Sequence, residues 1–267
     1  MAEGLLLAKI AITMTAVISL SLIAEYASPR VSGMLAGFPH GVAIVLFFIG
    51  LEQGVDFAAR SAVYTLAGLG ANAAFGLAYW KGLRFFGRHD KWLVPPLSFL
   101  AFLAPGAVFT QLPLTVVTGA VLALSMIGLL AWAARRERNV KIVRETHVSW
   151  REVAIRAAAA AAIVVAITGA ARMIGPGWAG LFSGFPIVTF PFLTIMHATH
   201  GKAPAFTILK AYPIGLISLV IYTLTVSFAF SAFGLGWGTA AGVAAAGAWI
   251  VLFQTLRAKI RPQARAS

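Results

Sequence analysis

The sequence predicts an all-α integral membrane protein of about nine transmembrane helices. These helices form two inverted-topology repeats, and the second and seventh of them are broken. Three observations predict this fold: an apolar composition, a one-sided distribution of basic residues, and an internal repeat that carries a Gly-Phe-Pro motif in each copy. The first indicates the environment, the second the orientation and the third the symmetry.

Apolar side chains dominate the chain. Hydrophobic residues make up 60% of it and charged residues 11%, with a mean hydropathy of +0.88, whereas a soluble domain carries about 25% charged residues. Apolar runs of about 18 residues or more are long enough to cross a hydrocarbon core of roughly 30 Å as helices. The absence of cysteine excludes disulfides and Cys-ligated metal sites. We therefore expect a multi-pass membrane protein without a cofactor.

The predicted helices divide the chain into two units. The first, 1–134, holds about five helices, the basic linker 135–151 follows, and the second, 152–267, holds about four. The first apolar run is too long and too lightly flanked for a cleaved signal peptide, so we interpret it as a mature span. The nine predicted spans cover residues 5–27, 31–51, 56–80, 92–109, 112–134, 152–174, 178–199, 204–231 and 236–256.

Basic residues lie almost entirely on one side of this predicted topology. Of the 21 Lys and Arg residues, only Lys9, Arg60 and Arg172 fall on the other side. Lys and Arg accumulate in cytoplasmic loops, which predicts an outside N-terminus and a cytoplasmic C-terminus in a bacterial inner membrane. The net charge of +13 is thereby explained by topology rather than by a nucleic-acid partner. Binding of the basic linker to anionic lipid head groups stays open.

A shift of 147 residues aligns the two halves without gaps. Glycine and proline dominate the matches, and both residues have backbone reasons to be retained. An odd number of helices in the first unit turns the second copy upside down. Such inverted repeats are a recurring plan of secondary transporters. The identical pairs are Pro29/Pro176, Gly33/Gly180, Gly37/Gly184, Phe38/Phe185, Pro39/Pro186, Leu46/Leu193, Gly54/Gly201, Ala58/Ala205 and Gly68/Gly215.

The Gly-Phe-Pro motifs, Gly37-Phe38-Pro39 and Gly184-Phe185-Pro186, fall inside the second and seventh predicted spans. Proline removes a backbone donor and clashes with the preceding turn, so each motif predicts a break. The positive end of a half-helix can face an anionic group, and paired broken helices indicate a transporter's substrate site. The alternative is that these glycines only permit close helix packing.

Polar residues close to the breaks are the remaining site candidates, since ionisable groups in membrane spans are costly and often functional. Acids that begin the third helix also complement its dipole, so a purely structural role stays open. The spacing of His197 and His200 resembles a metal pair, but no carboxylate lies nearby in sequence and we predict no metal site. The candidates are His40, Gln53 and His200 for substrate binding, Glu52, Asp56 and His197 for coupling, and Arg60 and Lys202 for neither role in particular.

Three stretches of the first half resemble the small GlpM-type bacterial membrane proteins. The residues that carry the resemblance are Val31-Ser-Gly-Met-Leu-Ala-Gly-Phe-Pro39, Ile49-Gly-Leu-Glu-Gln-Gly54 and the following Arg60. The second half is less similar, because Thr199-His-Gly replaces the Glu-x-Gly element and Thr207 replaces Arg60. The resemblance implies a fused tandem of two such units and an association with exopolysaccharide production.

We expect from these patterns a secondary carrier or flippase for a small or amphipathic, anionic or lipid-linked substrate. Its partners would be membrane lipid and that substrate, with no nucleic acid and with a homodimer left open. The alternatives are a non-transporting subunit of an envelope or exopolysaccharide biosynthesis complex and, less favoured, a membrane-embedded enzyme. We do not predict an enzyme, because the chain has no nucleophile elbow, phosphate-binding loop or His-Glu-x-x-His motif.

Overall fold

The computed structural model describes residues 2–26, 38–137 and 150–260. Those residues are almost entirely helical and contain no strand. Six of their helices are long and apolar enough to cross a membrane, as judged by length and composition. Pro29, Gly33, Gly37 and most of the predicted linker lie outside the described residues. The helices are α1 (Ala2–Tyr26), α2 (His40–Gln53), α3 (Val55–Phe85), α4 (Asp90–Phe109), α5 (Val116–Ala134), α6 (Trp150–Ser183), α7 (Thr189–His200) and α8 (Lys202–Ile260).

Two of these helices are interrupted at a glycine. Gly175 in α6 has φ 74° and ψ 171°, and Gly234 in α8 has φ 75° and ψ 174°. That backbone conformation is accessible almost only to glycine. The interruptions divide α6 into segments 150–174 and 176–183, and α8 into segments 202–233 and 235–260. The predicted spans 152–174, 204–231 and 236–256 each fall within one segment.

Helix α3 lies at the centre of the helical assembly and packs against α4, α5, α6 and α8. In its apolar stretch 72% of the residues are buried, compared with 22% in α5. Its glycines permit close backbone approach, since a Cβ on Gly68 would lie 2.5 Å from the carbonyl oxygen of Leu181. Small residues at helix contacts serve this purpose in membranes.

The first segment of α8 runs antiparallel to α3. Lys202 Nζ at its start donates to the carbonyl oxygen of Leu83 at 3.0 Å. Ten residues later, Tyr212 Oη donates to Asn72 Oδ1 at 2.7 Å. Moving forward along α8 therefore means moving backward along α3. The two helices are also counterparts in sequence, because the 147-residue shift aligns Lys202 with Val55.

Helix α5 begins four residues later than predicted. The sequence predicts a span from Leu112, whereas the helix starts at Val116 because Thr115 caps it. The Thr115 side chain accepts from the Thr118 backbone N–H at 3.2 Å, and Thr118 Oγ1 accepts from the Thr115 N–H at 2.9 Å. This reciprocal pair is a capping box, which satisfies donors that the first helical turn leaves free.

Glu137 joins the end of α5 to both halves of the chain. Its carboxylate accepts from Trp80 Nε1 at 2.8 Å and from Arg84 Nη2 at 2.5 Å. Its backbone carbonyl accepts from Lys210 of α8. The Arg84 guanidinium also lies over the Trp80 ring, 4.6 Å from its centroid. The beginning of the predicted linker is thereby attached to α3 and α8.

Candidate functional site

In both Gly-Phe-Pro motifs, the residues that the structure describes lie at a helix boundary. Helix α6 ends at Ser183, residues 184–188 are not helical, and α7 begins at Thr189. In the first half, α2 begins at His40, directly after Pro39. Each proline supplies its carbonyl to the helix that follows, to Ala43 N in one case and to Phe190 N in the other, both at 2.7 Å. The break predicted in the second half is therefore present.

The segments that follow the two prolines are neighbours in space. A Cβ placed on Gly41 would lie 3.2 Å from the Cβ of Ile187. Under the 147-residue shift Gly41 corresponds to Val188, so the two contacting residues occupy nearly equivalent places in the two halves. The starts of α2 and α7 thus meet in the structure.

The second break has its own polar support. Asn72 of α3 donates from Nδ2 to the carbonyl oxygen of Gly184 at 2.9 Å and accepts from Tyr212 Oη at 2.7 Å. Both side chains are buried. A carbonyl freed by a broken helix needs such a partner wherever water is absent. The sequence interpretation missed both residues, although Asn72 is the only asparagine in the apolar run of α3.

The glycines of the second break also bring backbones into contact. A Cβ on Gly180 would overlap the Ser61 carbonyl oxygen, and one on Gly184 would lie 2.6 Å from the carbonyl carbon of Gly68. The short segment 176–183 therefore lies directly on α3. This geometry supports the close-packing hypothesis for these glycines, which is compatible with a site at the break.

Aromatic side chains surround the second break on the side of α4. The ring of Phe185 contacts Phe102 at 5.1 Å, Phe99 at 5.6 Å and Phe190 at 5.6 Å between centroids. Phe185 and Phe102 are buried, whereas Phe99 is 37% exposed. The aromatic group therefore extends from the break to the surface of α4.

A polar cluster lies at the far end of α3, where α3, α4, α7 and α8 meet. Tyr79 Oη and His197 Nδ1 are 3.1 Å apart, and His197 Nε2 lies 3.4 Å from Asp90 Oδ2. Lys202 Nζ lies 2.8 Å from the same oxygen. The side chains of Asp90 and His197 are 6% and 1% exposed, and that of Lys202 is 36% exposed. We call these four residues the Asp90 cluster.

Asp90 is held in this cluster by the start of α4. Its Oδ1 accepts from the Lys91 backbone N–H at 2.7 Å, and the N-terminus of a helix favours a negative charge. His197 Nε2 is buried and has no hydrogen-bond partner among the described residues. The cluster thus combines one carboxylate, one ammonium group and one imidazole with an unused nitrogen.

A second ionic group lies at the opposite end of α3, beside the junction of α2 and α3. Lys9 Nζ forms an ion pair with Glu52 at 2.6 Å and donates to Thr168 Oγ1 at 2.7 Å. The Lys9 side chain is 5% exposed and that of Glu52 is 22% exposed. We call these three residues the Lys9 cluster. It joins α1, α2 and α6.

The structure brings together only some of the predicted site residues. His197 and Lys202 meet through Asp90, whereas Glu52 belongs to the other cluster. Asp56 and Arg60 are exposed. Within the described part of the chain, no group of three His, Cys, Asp or Glu residues is suited to a metal ion.

The other candidates lie at the ends of α2 and α7. His40 Nδ1 is 3.0 Å from the Phe38 carbonyl oxygen, and the two rings are 4.6 Å apart. His200 is exposed beside Thr199, with 2.6 Å between His200 Nδ1 and Thr199 Oγ1. Gln53 is half-buried at the last turn of α2. No contact described for these residues joins one interrupted helix to the other.

Tyr79 and Asp90 were missed at the sequence level. Tyr79 ends an apolar run and resembles an interfacial aromatic residue. Asp90 stands among the bases Arg88 and Lys91 and resembles a loop residue. One signal was available, because Asp90 is the only acid between the third and fourth predicted spans.

No protein-family model, no curated protein and no solved structure matches this chain.

Proposed function

We propose that the protein is a carrier or flippase of a bacterial inner membrane that works by alternating access between two inverted repeats. The proposed topology has nine crossings, with the N-terminus outside and the C-terminus in the cytoplasm. The proposed substrate site lies where the two interrupted helices meet, and the substrate is a small or amphipathic molecule. The GlpM-type resemblance suggests a lipid-linked envelope compound as one such substrate.

The observation that carries this proposal is the contact between the segments that follow Pro39 and Pro186. Residues 38–41 and 184–188 are far apart in sequence, yet Gly41 and Ile187 are in contact. Paired interruptions at a repeat interface are where transporters bind their substrates, because half-helix ends offer unpaired backbone groups there. An alternating-access carrier needs such a point between its two halves.

The geometry of the glycine junctions supports the inverted arrangement. Gly54 joins α2 to α3 with φ 94°, and its counterpart Gly201 joins α7 to α8 with φ 82°. Lys202, next to Gly201, contacts Leu83 at the other end of α3. Equivalent junctions at opposite ends of one helix, together with antiparallel α3 and α8, are what an inverted repeat requires.

The aromatic group beside the second break favours an amphipathic substrate. Phe185, at the break, contacts both Phe102 and Phe99, and Phe99 lies on the surface of α4. In a membrane an exposed apolar surface of α4 faces acyl chains. An apolar tail could therefore follow this surface while a polar head group occupies the region between the half-helices.

A reversible cross-link between the breaks tests the proposal. The chain has no cysteine, and 3.2 Å between the β-carbons of positions 41 and 187 is close to the usual disulfide separation of about 3.5–4.5 Å. The double variant Gly41→Cys/Ile187→Cys in liposomes would be assayed with fluorescent phosphatidylglycerol, fluorescent phosphatidylethanolamine and a panel of radiolabelled organic anions. The two single-cysteine variants are the controls.

We expect at least one probe to move with the parent protein, to stop when the double variant is oxidised, and to move again after reduction. The single variants should be insensitive to oxidant. The proposal is contradicted if no probe is moved or bound by the parent, or if the oxidised double variant transports at the parent rate.

A second candidate function is a non-transporting subunit of an envelope-biosynthesis complex. The backbone contacts of Gly180 and Gly184 with α3 favour it, because they describe a firmly packed break rather than one that opens. A partner that co-purifies in fixed stoichiometry, combined with unchanged function of that complex when positions 41 and 187 are cross-linked, would support this reading over transport.

A further inference from the structure

We propose that the Asp90 cluster is a proton-coupling site in which Asp90 exchanges one cationic partner for another. Protonation of His197 would draw the carboxylate to the imidazolium, release Lys202 and change the angle between α7 and α8 at Gly201. This inference rests on the proposed carrier function and adds the proton as its coupling ion.

The two cationic candidates face the same oxygen atom. Asp90 Oδ2 is 2.8 Å from Lys202 Nζ and 3.4 Å from His197 Nε2. The shorter distance is an ion pair in contact, and the longer one is too long for a good hydrogen bond. In the described state Asp90 is therefore paired with Lys202, and His197 is adjacent but unpaired on that side.

Protonation of His197 would change how many hydrogen bonds its ring can donate. A neutral ring has one N–H, whereas the protonated ring has two. His197 lies between two acceptors, Tyr79 Oη near Nδ1 and Asp90 Oδ2 near Nε2. A proton taken from water would bind the ring nitrogen that lacks one, and both ring nitrogens would then donate. The same proton returns to water when the cluster resets.

The exchange keeps the charge of the cluster balanced. A buried carboxylate requires a cation, and two cations beside one carboxylate leave an uncompensated charge. Once His197 is protonated, Lys202 is the surplus cation. Its side chain is 36% exposed, so it can move into water whereas the buried His197 cannot.

Release of Lys202 acts across a natural hinge. His197 belongs to α7 and Lys202 to α8, and Gly201 lies between them with φ 82° and ψ −167°. Nothing lies within 4 Å of the position that a Gly201 Cβ would occupy. The backbone at this point has both the conformational freedom and the space to change direction. Because α7 begins at the second break, the exchange would be transmitted to the proposed substrate site.

The charged groups around His197 come from four helices. Tyr79 belongs to α3, Asp90 and Lys91 to α4, and Lys202 to α8; Lys91 Nζ donates to the Ala198 carbonyl oxygen at 2.7 Å. From α6, the ion-paired Glu152 and Arg156 face α7 at Phe192, more than one helical turn from His197. Among these groups, Asp90 is therefore the carboxylate that lies close to the imidazole of His197.

The hinge motion can be measured without a substrate. Spin labels at Trp92→Cys and Ala203→Cys, two exposed positions at the starts of α4 and α8, report the separation that the Asp90–Lys202 pair restrains. The cysteine-free chain gives no background labelling. The interspin distance of the full chain in nanodiscs would be measured at about pH 8 and about pH 4, a range that extends well to both sides of the titration of a free histidine near about 6.5.

We expect the main distance to increase on acidification in the parent and in His200→Gln, which alters an exposed histidine of the same helix. His197→Gln should hold the pH 8 distance at both pH values, and Lys202→Gln should show the longer distance at both. An unchanged distance in the labelled parent overturns the proposal, and so does the same shift in His197→Gln. An unchanged parent distance is decisive even if a variant fails to fold.

This measurement is independent of transport. A pH-independent distance in a protein that moves a probe would refute the coupling site and leave the carrier proposal intact. A pH-dependent distance in a protein that moves nothing would refute the carrier proposal and leave a proton-operated hinge.

Discussion

The two ends of α3 have the same backbone junction but different side-chain chemistry. At one end Gly54 precedes the helix and Lys9 pairs with Glu52; at the other end Gly201 lies beside the Asp90 cluster. The Lys9 cluster has one carboxylate for one cation. The Asp90 cluster has one carboxylate for two cationic candidates. Only the second end offers an exchange of partners.

The repeat alignment shows where this asymmetry lies in the sequence. The counterparts of Asn72 and Tyr79 are Leu219 and Val226, and the counterpart of His197 is Gly50. Neither the polar support of the second break nor the Asp90 cluster therefore has a symmetric counterpart in the aligned positions. The two junctions therefore differ in their side chains: one has a single ion pair, and the other has a carboxylate between two cationic candidates.

The largest expected effect concerns the Lys9 cluster. Glu52→Ala leaves Lys9, whose side chain is 5% exposed, as an uncompensated buried charge, and we expect a loss of about 3–5 kcal/mol in the free energy of unfolding. Asp90→Ala should cost less, about 1–3 kcal/mol, because Lys202 can reach water. Unfolding in mixed SDS micelles measures both. The double variant Lys9→Met/Glu52→Leu should recover most of the stability. Equal losses in the free energy of unfolding for Glu52→Ala and Asp90→Ala would contradict the proposed difference between the two ends of α3.

The contact of the second break with α3 is the next largest test. Gly180→Ala places a Cβ against the Ser61 carbonyl oxygen, and overpacking against backbone should cost about 3 kcal/mol. Gly177→Ala is the matched control, since its Cβ would meet only Tyr64 at 3.8 Å. The melting temperatures of the purified variants give the comparison. Equal melting temperatures for the two would show that segment 176–183 does not lie on α3 as described.

The two glycine junctions should respond alike. Gly54→Ala and Gly201→Ala each force a side chain into a conformation with positive φ, and neither Cβ meets a neighbour within 4 Å. Backbone strain alone then acts, and we expect about 2 kcal/mol at each position. Chemical unfolding of the two variants side by side measures this. A clearly larger loss at one junction would mean that the turns differ in more than their side chains.

The smallest effect is expected at the support of the second break. Asn72→Leu makes the first half identical to the second at this position, because Leu219 is its counterpart. The lost hydrogen bonds to Gly184 and Tyr212 are partly offset by apolar burial, so we expect a net loss of about 1 kcal/mol. Leu219→Asn, which buries an amide at a position where the native chain has none, should cost more. A larger loss in the free energy of unfolding for Asn72→Leu than for Leu219→Asn would contradict the assigned role of Asn72.

The positions of helices and breaks could be predicted because their causes are local. Apolar runs indicate the spans, and the Pro186 and Gly184 pair indicates the interruption between residues 184 and 188. The later start of α5 depended on the reciprocal Thr115–Thr118 cap, which a count of apolar residues does not detect. Local chemistry of this kind acts within one helical turn.

The side-chain clusters could not be predicted because their members are distant in sequence. Tyr79 and His197 are 118 residues apart, and Asn72 and Tyr212 are 140 apart. The repeat placed His197 near the second junction, but it gave no indication of Asp90, whose counterpart is Trp237. Symmetry predicts only what the two halves share, whereas the Asp90 cluster joins Tyr79 and Asp90 of the first half to His197 and Lys202 of the second.

The same long separations impose an order of events on biosynthesis. Asn72 enters the membrane with α3, yet the Gly184 carbonyl that it binds is synthesised 112 residues later. At about 5–20 residues per second, α3 waits on the order of ten seconds with a buried amide and the Tyr79 hydroxyl unpaired. The first half therefore completes the hydrogen bonds of its central helix only after the second half has been synthesised.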